Sequence, residues 1–261
     1  MGLRATLAQS DISTMNFAAL ALRISNATER FPHFHKMARR LYCAFRPGIR
    51  FQTEAVFKDY EDIFVLKIGA YDGIDSLATL LLTDARYRGL LVDPIPMSAA
   101  KLRANYGTCG RFTIVQAAVA AASGTANMYY VDESALKLIE AANPAAYWLR
   151  AVASLDRLHV LKHLAPEMHA AVKETPVECL TVNALLSRNN IQKIDLLHID
   201  AEGFDYVILR QFDFTTLHPR IVLFEHKHLT NQDRRAAKTM MELAGYKVEE
   251  METDFFALAE L

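Results

Sequence analysis

The feature that most constrains this chain is an alternation. From Ile63 onward, short runs of aliphatic and β-branched residues are each followed by a stretch of helical periodicity. That order is the signature of βαβ units, because parallel strands need a crossover and the usual crossover is a helix. Ile63–Ile68 reads as a buried strand ending in Gly69-Ala-Tyr-Asp-Gly73, followed by a helix over 75–85 with Asp75 or Ser76 near its cap. Strands at 89–92, 112–115, 194–199 and 221–224 repeat the pattern, with helices over 98–106, 204–212 and 231–245. Two short strands, 246–250 and 255–259, close the chain. About 75 residues separate the third and fourth strands, more than one crossover requires. An insertion is therefore expected at about 125–175, with a strand at 129–131, helices at 132–142 and 155–164, and a strand at 177–181 rejoining the sheet. Residues 1–55 read differently. They form an N-terminal helical extension interrupted at Pro32, rich in basic side chains and ended by a turn at 46–48.

Composition removes several classes of function. The chain has 261 residues, 52% hydrophobic and 23% charged, the balance of an ordinary globular protein. Its 29 basic and 30 acidic side chains leave a net charge of −1, without the basic surplus that nucleic-acid binding draws on. No apolar run approaches the ~18 residues of a membrane span, so no integral membrane segment is expected, and no signal peptide is read. Cys43, Cys109 and Cys179 are far apart and outside any CxxC spacing. Neither a disulfide framework nor a cysteine zinc site is expected, and a reducing, cytoplasmic location is.

In open parallel sheets, ligands bind beyond the carboxyl ends of the strands. Four of the five core strands end in groups able to hold one: Gly69 to Gly73, Asp93, Asp200 with Glu202, and Glu225 with His226. The first loop is not a dinucleotide fingerprint, since Tyr71 stands where a middle glycine would let backbone approach a pyrophosphate. A Walker Gly-Lys-Ser/Thr is absent too. A bulkier, less anionic nucleoside still fits. Asp93 is placed to accept ribose hydroxyls, a role compatible with capping the next helix ahead of Pro94. Gln116, followed by Ala117, can meet an adenine edge.

The segments Ile68-Gly-Ala-Tyr-Asp-Gly73, Gly89-Leu-Leu-Val-Asp-Pro94, Ile194-Asp-Leu-Leu-His-Ile-Asp-Ala-Glu-Gly203 and Ile221-Val-Leu-Phe-Glu-His226 resemble, in that order, the motifs of FkbM-type methyltransferases. The resemblance covers about residues 55–261. It implies an α/β, class I (Rossmann-like) fold over 56–261, with a mostly parallel seven-stranded sheet and helices on both faces. It implies S-adenosyl-L-methionine as cofactor, and methylation of a hydroxyl in a sugar, glycolipid or natural product. Carried over by position, Gly69, Ala70, Tyr71 and Gly73 line the methionine and ribose part of the cofactor. Asp93 holds the ribose, and Gln116 and Ala117 flank adenine. Asp200 and Glu202 face the methyl and the acceptor, and Glu225 and His226 complete the acceptor side.

One position departs from the family pattern. Lys67 stands two residues before Gly69, where such enzymes usually carry an acid or amide. It would repel the cofactor's cationic end unless it turns away or pairs with an acid such as Asp200. Lys67 also motivates an alternative reading, a catalytically weakened member acting as a binding or partner module. For the active enzyme, His226 is the first choice of general base and Asp200 the second. Asp200, Glu202, Glu225, His226 and His228 can together bind a divalent metal, the oxygen ligands suiting magnesium or manganese and the histidines shifting the preference toward later metals. Their spacing matches no metal motif, so a metal is not favoured. The expected partner is a small-molecule or glycan hydroxyl acceptor, with no nucleic acid; homo-oligomer formation is left open.

Overall fold

The computed structural model describes residues 47–260. The extension expected over 1–55 therefore lies outside the described residues up to position 46. The first described element, helix α1 (Pro47–Val56), replaces the turn read at 46–48. Pro47 opens it, and proline suits a first helical turn because its missing N–H has no partner there anyway. Thr53 and Phe57 are fully buried, and Ile49 and Val56 pack against the sheet's core.

In chain order the elements then run β1 (Ile63–Ile68), α2 (Ala78–Thr83), β2 (Tyr87–Val92), α3 (Pro96–Tyr106), β3 (Phe112–Val115), β4 (Ala118–Val119) and β5 (Gly124–Val131). After these come α4 (Glu133–Ala142), β6 (Ala153–Ser154), α5 (Arg157–Leu161), β7 (Val172–Leu180) and α6 (Val182–Arg188). The chain continues through β8 (Leu196–Ile199), α7 (Asp205–Leu209), β9 (Ile221–Glu225), α8 (Asn231–Leu243), β10 (Tyr246–Glu250) and β11 (Asp254–Ala259).

Seven strands form the main sheet, in the order β10-β11-β9-β8-β1-β2-β3. Five are parallel, and β11 runs antiparallel to both β9 and β10. The central strands are apolar on both faces because helices cover both. On one face, Leu66, Ile68, Leu197 and Phe224 pack with Val182 and Leu185 of α6, Ile208 and Leu209 of α7, and Ala237 and Met241 of α8. On the other, Val65, Leu91 and Leu196 pack with Leu77, Leu80, Leu102 and Tyr106. This is the class I methyltransferase architecture expected from the motifs.

The insertion is larger than the pattern suggested. Its strands form a second sheet, β4-β7-β5-β6. β5 and β7 pair antiparallel from Gly124↔Cys179 to Val131↔Val172. The strand expected at 177–181 is thus the end of β7, and it does not rejoin the main sheet. Val131, Leu136, Leu149 and Val160 give this lobe a small core of its own. Among the described residues no helix is long and apolar enough to cross a membrane.

Candidate active site

The strand order reverses between β1 and β8, so the switch point lies at their carboxyl ends, where Gly69 and Asp200 sit. The two chains approach closely there. The Asp200 amide donates to the Ile68 carbonyl at 2.9 Å, and a Cβ on Gly69 would lie 1.6 Å from the Asp200 carbonyl oxygen. Gly69 also has φ +77°, so no other residue fits without moving one of the two loops. Gly69 and Ala70 donate their amides to the Val92 carbonyl at 2.9 and 3.0 Å. The turn after β1 is thereby fastened to the end of β2.

Asp93 completes that fastening. Its carboxylate accepts from the Tyr71 amide at 2.8 Å and from the Ile95 amide at 3.0 Å. It thus serves both the turn and the start of α3. Burial pushes its pKa up to about 6 against the opposing pull of those amides.

Between these strand ends and the insertion lies a concave cleft, the kind of place where small-molecule sites occur. Gly69, Tyr71, Asp93, Ala117, Asp200 and Glu202 line it together. Ile95 and Met97 form an apolar wall beside Asp93, and Met128, Tyr130 and Leu149 face them from the insertion. A carboxylate at a ribose position beside an apolar slot and a glycine turn fits an adenosyl cofactor.

The other expected residues do not line the cleft. Ala70 is buried in the core under α2 and α3. Gly73 lies against Tyr106, whose hydroxyl donates to its carbonyl at 2.6 Å. Its role is close helix packing: a Cβ there would come within 2.3 Å of the Tyr106 ring. Gln116 is exposed to solvent. His226 is buried with Nε2 3.1 Å from the Met251 carbonyl and its ring against Phe255. Glu225 sits beside it, with Oε2 buried and lacking a hydrogen-bond partner among the described residues.

Lys67 is resolved by a partner that sequence reading did not name. Its side chain is 2% exposed, forms an ion pair with Asp75 and lies 2.7 Å from Nδ1 of His198. It does not line the cleft; Asp75 is its ion-pair partner, and its charge also acts on Asp200. The motive for reading the chain as a weakened member therefore goes. Burial and the neighbouring ammonium push the His198 pKa down to about 4.

The carboxylates at the strand ends raise one another. Burial, then the charges of Glu202, Asp205 and Asp254, hold Asp200 well above the usual range, against the pull of Lys67. Burial and the Asp200 and Asp205 charges push Glu225 up to about 10. Asp205 opens α7 and accepts from the Ala201 and Gly203 amides, each at 3.2 Å; burial raises it to about 7.

Glu202, whose charge acts on that group, also faces a second one. It adopts φ +50°, which turns its carboxylate toward two imidazoles. Nε2 of His159 lies 3.0 Å from its Oε2, and Nε2 of His228 lies 3.5 Å away. His163 packs against both rings, at 5.2 and 5.4 Å between centroids. Burial holds the His163 and His228 pKa values down, the latter to about 4. Of the metal-ligand set considered from sequence, only Glu202 and His228 belong to this group. His159 and His163 come from the insertion and escaped that reading, although their i,i+4 spacing at a helix was a usable signal.

A family model described as the methyltransferase FkbM domain matches residues 67–249. Among solved structures, a precorrin-6y C5,15-methyltransferase from Geobacter metallireducens GS-15 is similar at 14% identity and TM-score 0.42, over 81% of this chain and 87% of that one. A methyltransferase FkbM from Methylobacillus flagellatus KT is similar at 11% identity and TM-score 0.43, over 93% of this chain and 58% of that one. The fibrillarin pre-rRNA processing protein of Methanococcus jannaschii is similar at 9% identity and TM-score 0.40, over 77% and 67%. No curated protein matches the sequence. With a family match spanning well over half its length, the chain belongs to the FkbM methyltransferase domain family, whose members use S-adenosyl-L-methionine.

Proposed function

We propose that this protein transfers a methyl group to a hydroxyl oxygen of a sugar, glycolipid or natural-product acceptor bound in the cleft beside Asp200. The observation that carries the reading is the convergence of Gly69, Tyr71, Asp93, Asp200 and Glu202 on one cleft at the sheet's switch point. S-adenosyl-L-methionine, when bound, supplies a methyl already activated by its sulfonium. Asp93 accepts the ribose hydroxyls, and the Gly69–Gly73 turn supports the methionine end. The apolar wall of Ile95, Met97 and Met128 excludes water and suits an amphiphilic acceptor.

An alcohol needs its proton removed as its oxygen attacks. Asp200 is assigned that proton, because it lines the cleft at the switch point, where its carboxylate form can accept a proton from a bound hydroxyl. His226, the first choice from sequence, is set aside because it faces the Met251 carbonyl. The free thiols of Cys109 and Cys179 suit a cytoplasmic setting.

The test is transfer of labelled methyl from S-adenosyl-L-methionine to a panel of glycosides and macrocyclic alcohols. Asp200→Asn should lower turnover at least ~100-fold while leaving S-adenosylhomocysteine affinity within a few-fold. His226→Gln should stay near wild type. Absence of S-adenosylhomocysteine binding at millimolar ligand, or label found on carbon, would overturn the reading.

A further inference from the structure

We infer that His159, His163, Glu202 and His228 form a binding site for one divalent transition-metal ion of the zinc type, joining the insertion to the catalytic strand ends. Their ligand-capable atoms all lie within 4.8 Å of one another. In a tetrahedral zinc site with bonds of about 2.0–2.1 Å, neighbouring donor atoms sit about 3.3 Å apart. The two spacings to Glu202 Oε2, 3.0 and 3.5 Å, already bracket that value. The widest separation, up to 4.8 Å, closes by about 1.5 Å through side-chain rotation as the ion is bound.

Three further observations point to a cation. The donors come from three separate segments: the α5 turn, the loop after β8 and the loop after β9. Their convergence is a product of the tertiary fold. The three rings pack edge to face at centroid distances of 4.8–5.4 Å, an arrangement that concentrates lone pairs. Nε2 of His163 is buried with no hydrogen-bond partner among the described residues. An imidazole nitrogen left so is costly unless something binds it.

The donor set selects the ion. Three imidazoles and one carboxylate suit zinc and its first-row neighbours and are wrong for magnesium or calcium, which prefer oxygen. Four protein donors fill a tetrahedral shell, the pattern of a closed site. The ion therefore fixes the insertion against the loops that carry Asp200 and Glu202. Its effect on the cleft passes through Glu202, the one ligand that also lines it. One contact must change. Lys162 Nζ lies 3.0 Å from His159 Nδ1, and an imidazole ligated through Nε2 carries its proton on Nδ1. Lys162 is exposed and free to swing into solvent.

The experiment uses the full chain without cofactor or acceptor, so its outcome is independent of the methyl-transfer reading. Chelator-treated protein is titrated with Zn²⁺ against a chromogenic competitor, and separately with Co²⁺ while visible absorption is followed. Wild type should take up one equivalent, with the intense Co²⁺ bands of a tetrahedral site, and its thermal midpoint should rise with Zn²⁺. His163→Ala and His228→Ala should each weaken Zn²⁺ binding by at least roughly tenfold. Lys162→Ala should bind as tightly as wild type or better. Substoichiometric uptake by wild type, or equal affinity in wild type and a His163→Ala/His228→Ala double variant, overturns the site. If the histidine variants do not fold, the stoichiometry and Co²⁺ spectrum of wild type decide the question.

Discussion

Replacing Asp75 with Asn tests how a lysine is tolerated in the central strand of this sheet. Lys67 is 2% exposed, and its ammonium meets the Asp75 carboxylate and Nδ1 of His198 among the described residues. Taking away one partner of a buried pair strands the other charge, which costs about 3–5 kcal/mol. Asp75 is itself 29% exposed, which places the expected loss near the lower end, about 3 kcal/mol. At roughly 2–4 °C per kcal/mol for a domain of this size, the thermal midpoint should fall by roughly 6–12 °C. The counterpart is Lys67→Met, which removes the charge that needs a partner and roughly conserves volume. Asp75 then keeps its bond from the Leu77 amide at 2.9 Å and its access to water. That variant should lose less than about 1.5 kcal/mol. Urea unfolding of both variants at neutral pH reads the asymmetry directly. Equal losses, or a milder Asp75→Asn, would refute the claim that Asp75 neutralises Lys67.

Three further predictions rest on the same site. Burial pushes the Asp93 pKa up to about 6, and the proposed hold on the ribose hydroxyls needs its carboxylate form, so S-adenosylhomocysteine affinity should weaken as pH falls below about 6, by calorimetry. Asp93→Asn should lose about 1.5–3 kcal/mol of binding at pH 7.5 and abolish that pH dependence. His198 is neutral in the fold with a pKa near 4, against about 6.5 when unfolded. Its contribution to stability is therefore present above pH 6.5 and is lost as pH falls from 6.5 to 4, because the unfolded chain takes up the proton first. Denaturation midpoints across that window should decline more steeply in wild type than in His198→Gln. Gly69→Ala adds a Cβ 1.6 Å from the Asp200 carbonyl at φ +77°, so beyond the ~1–2 kcal/mol of a left-handed alanine it must displace a loop. Both a lowered melting temperature and weakened S-adenosylhomocysteine binding should follow.

The parallel strands are legible because burial on both faces leaves near-continuous apolar runs, as at 221–224 and, with Lys67 the one polar residue, at 63–68, bounded by glycine or acid. The strand-end acids were legible for the same reason, since each is the first polar residue after such a run. Helix starts were less so. The helix expected from residue 75 begins at Ala78, because Asp75 spends its carboxylate on the Leu77 amide and on Lys67. That partnership spans the β1–α2 turn and leaves no periodic trace. The insertion was the hardest part. β5 and β7 are half-exposed, and their pairing brings together residues more than forty positions apart, such as Val131 and Val172. His159 and His163 meet Glu202 and His228 only through that lobe's placement. His226 shows the converse case. Its position after a strand suggested a base, but the antiparallel β10–β11 turn lies beside it and takes its Nε2.

Helix α1 has a practical consequence for anyone trimming this protein. The stretch that matches the family, 67–249, starts inside β1, stops inside β10 and omits both α1 and β11. Without β11, strand β9 would become an open sheet margin ready to recruit other chains. Without α1 and the turn after it, the Phe57 and Tyr87 rings would lose their edge-to-face packing, and Arg86 would lose the Phe57 and Tyr60 carbonyls it binds at 2.9 Å. The Gln52–Glu249 contact at 3.3 Å, which ties the first described helix to the penultimate strand, would go as well. Cloning limits drawn from similarity would thus cut through the scaffold, and a soluble fragment has to begin no later than Pro47 and run through Ala259.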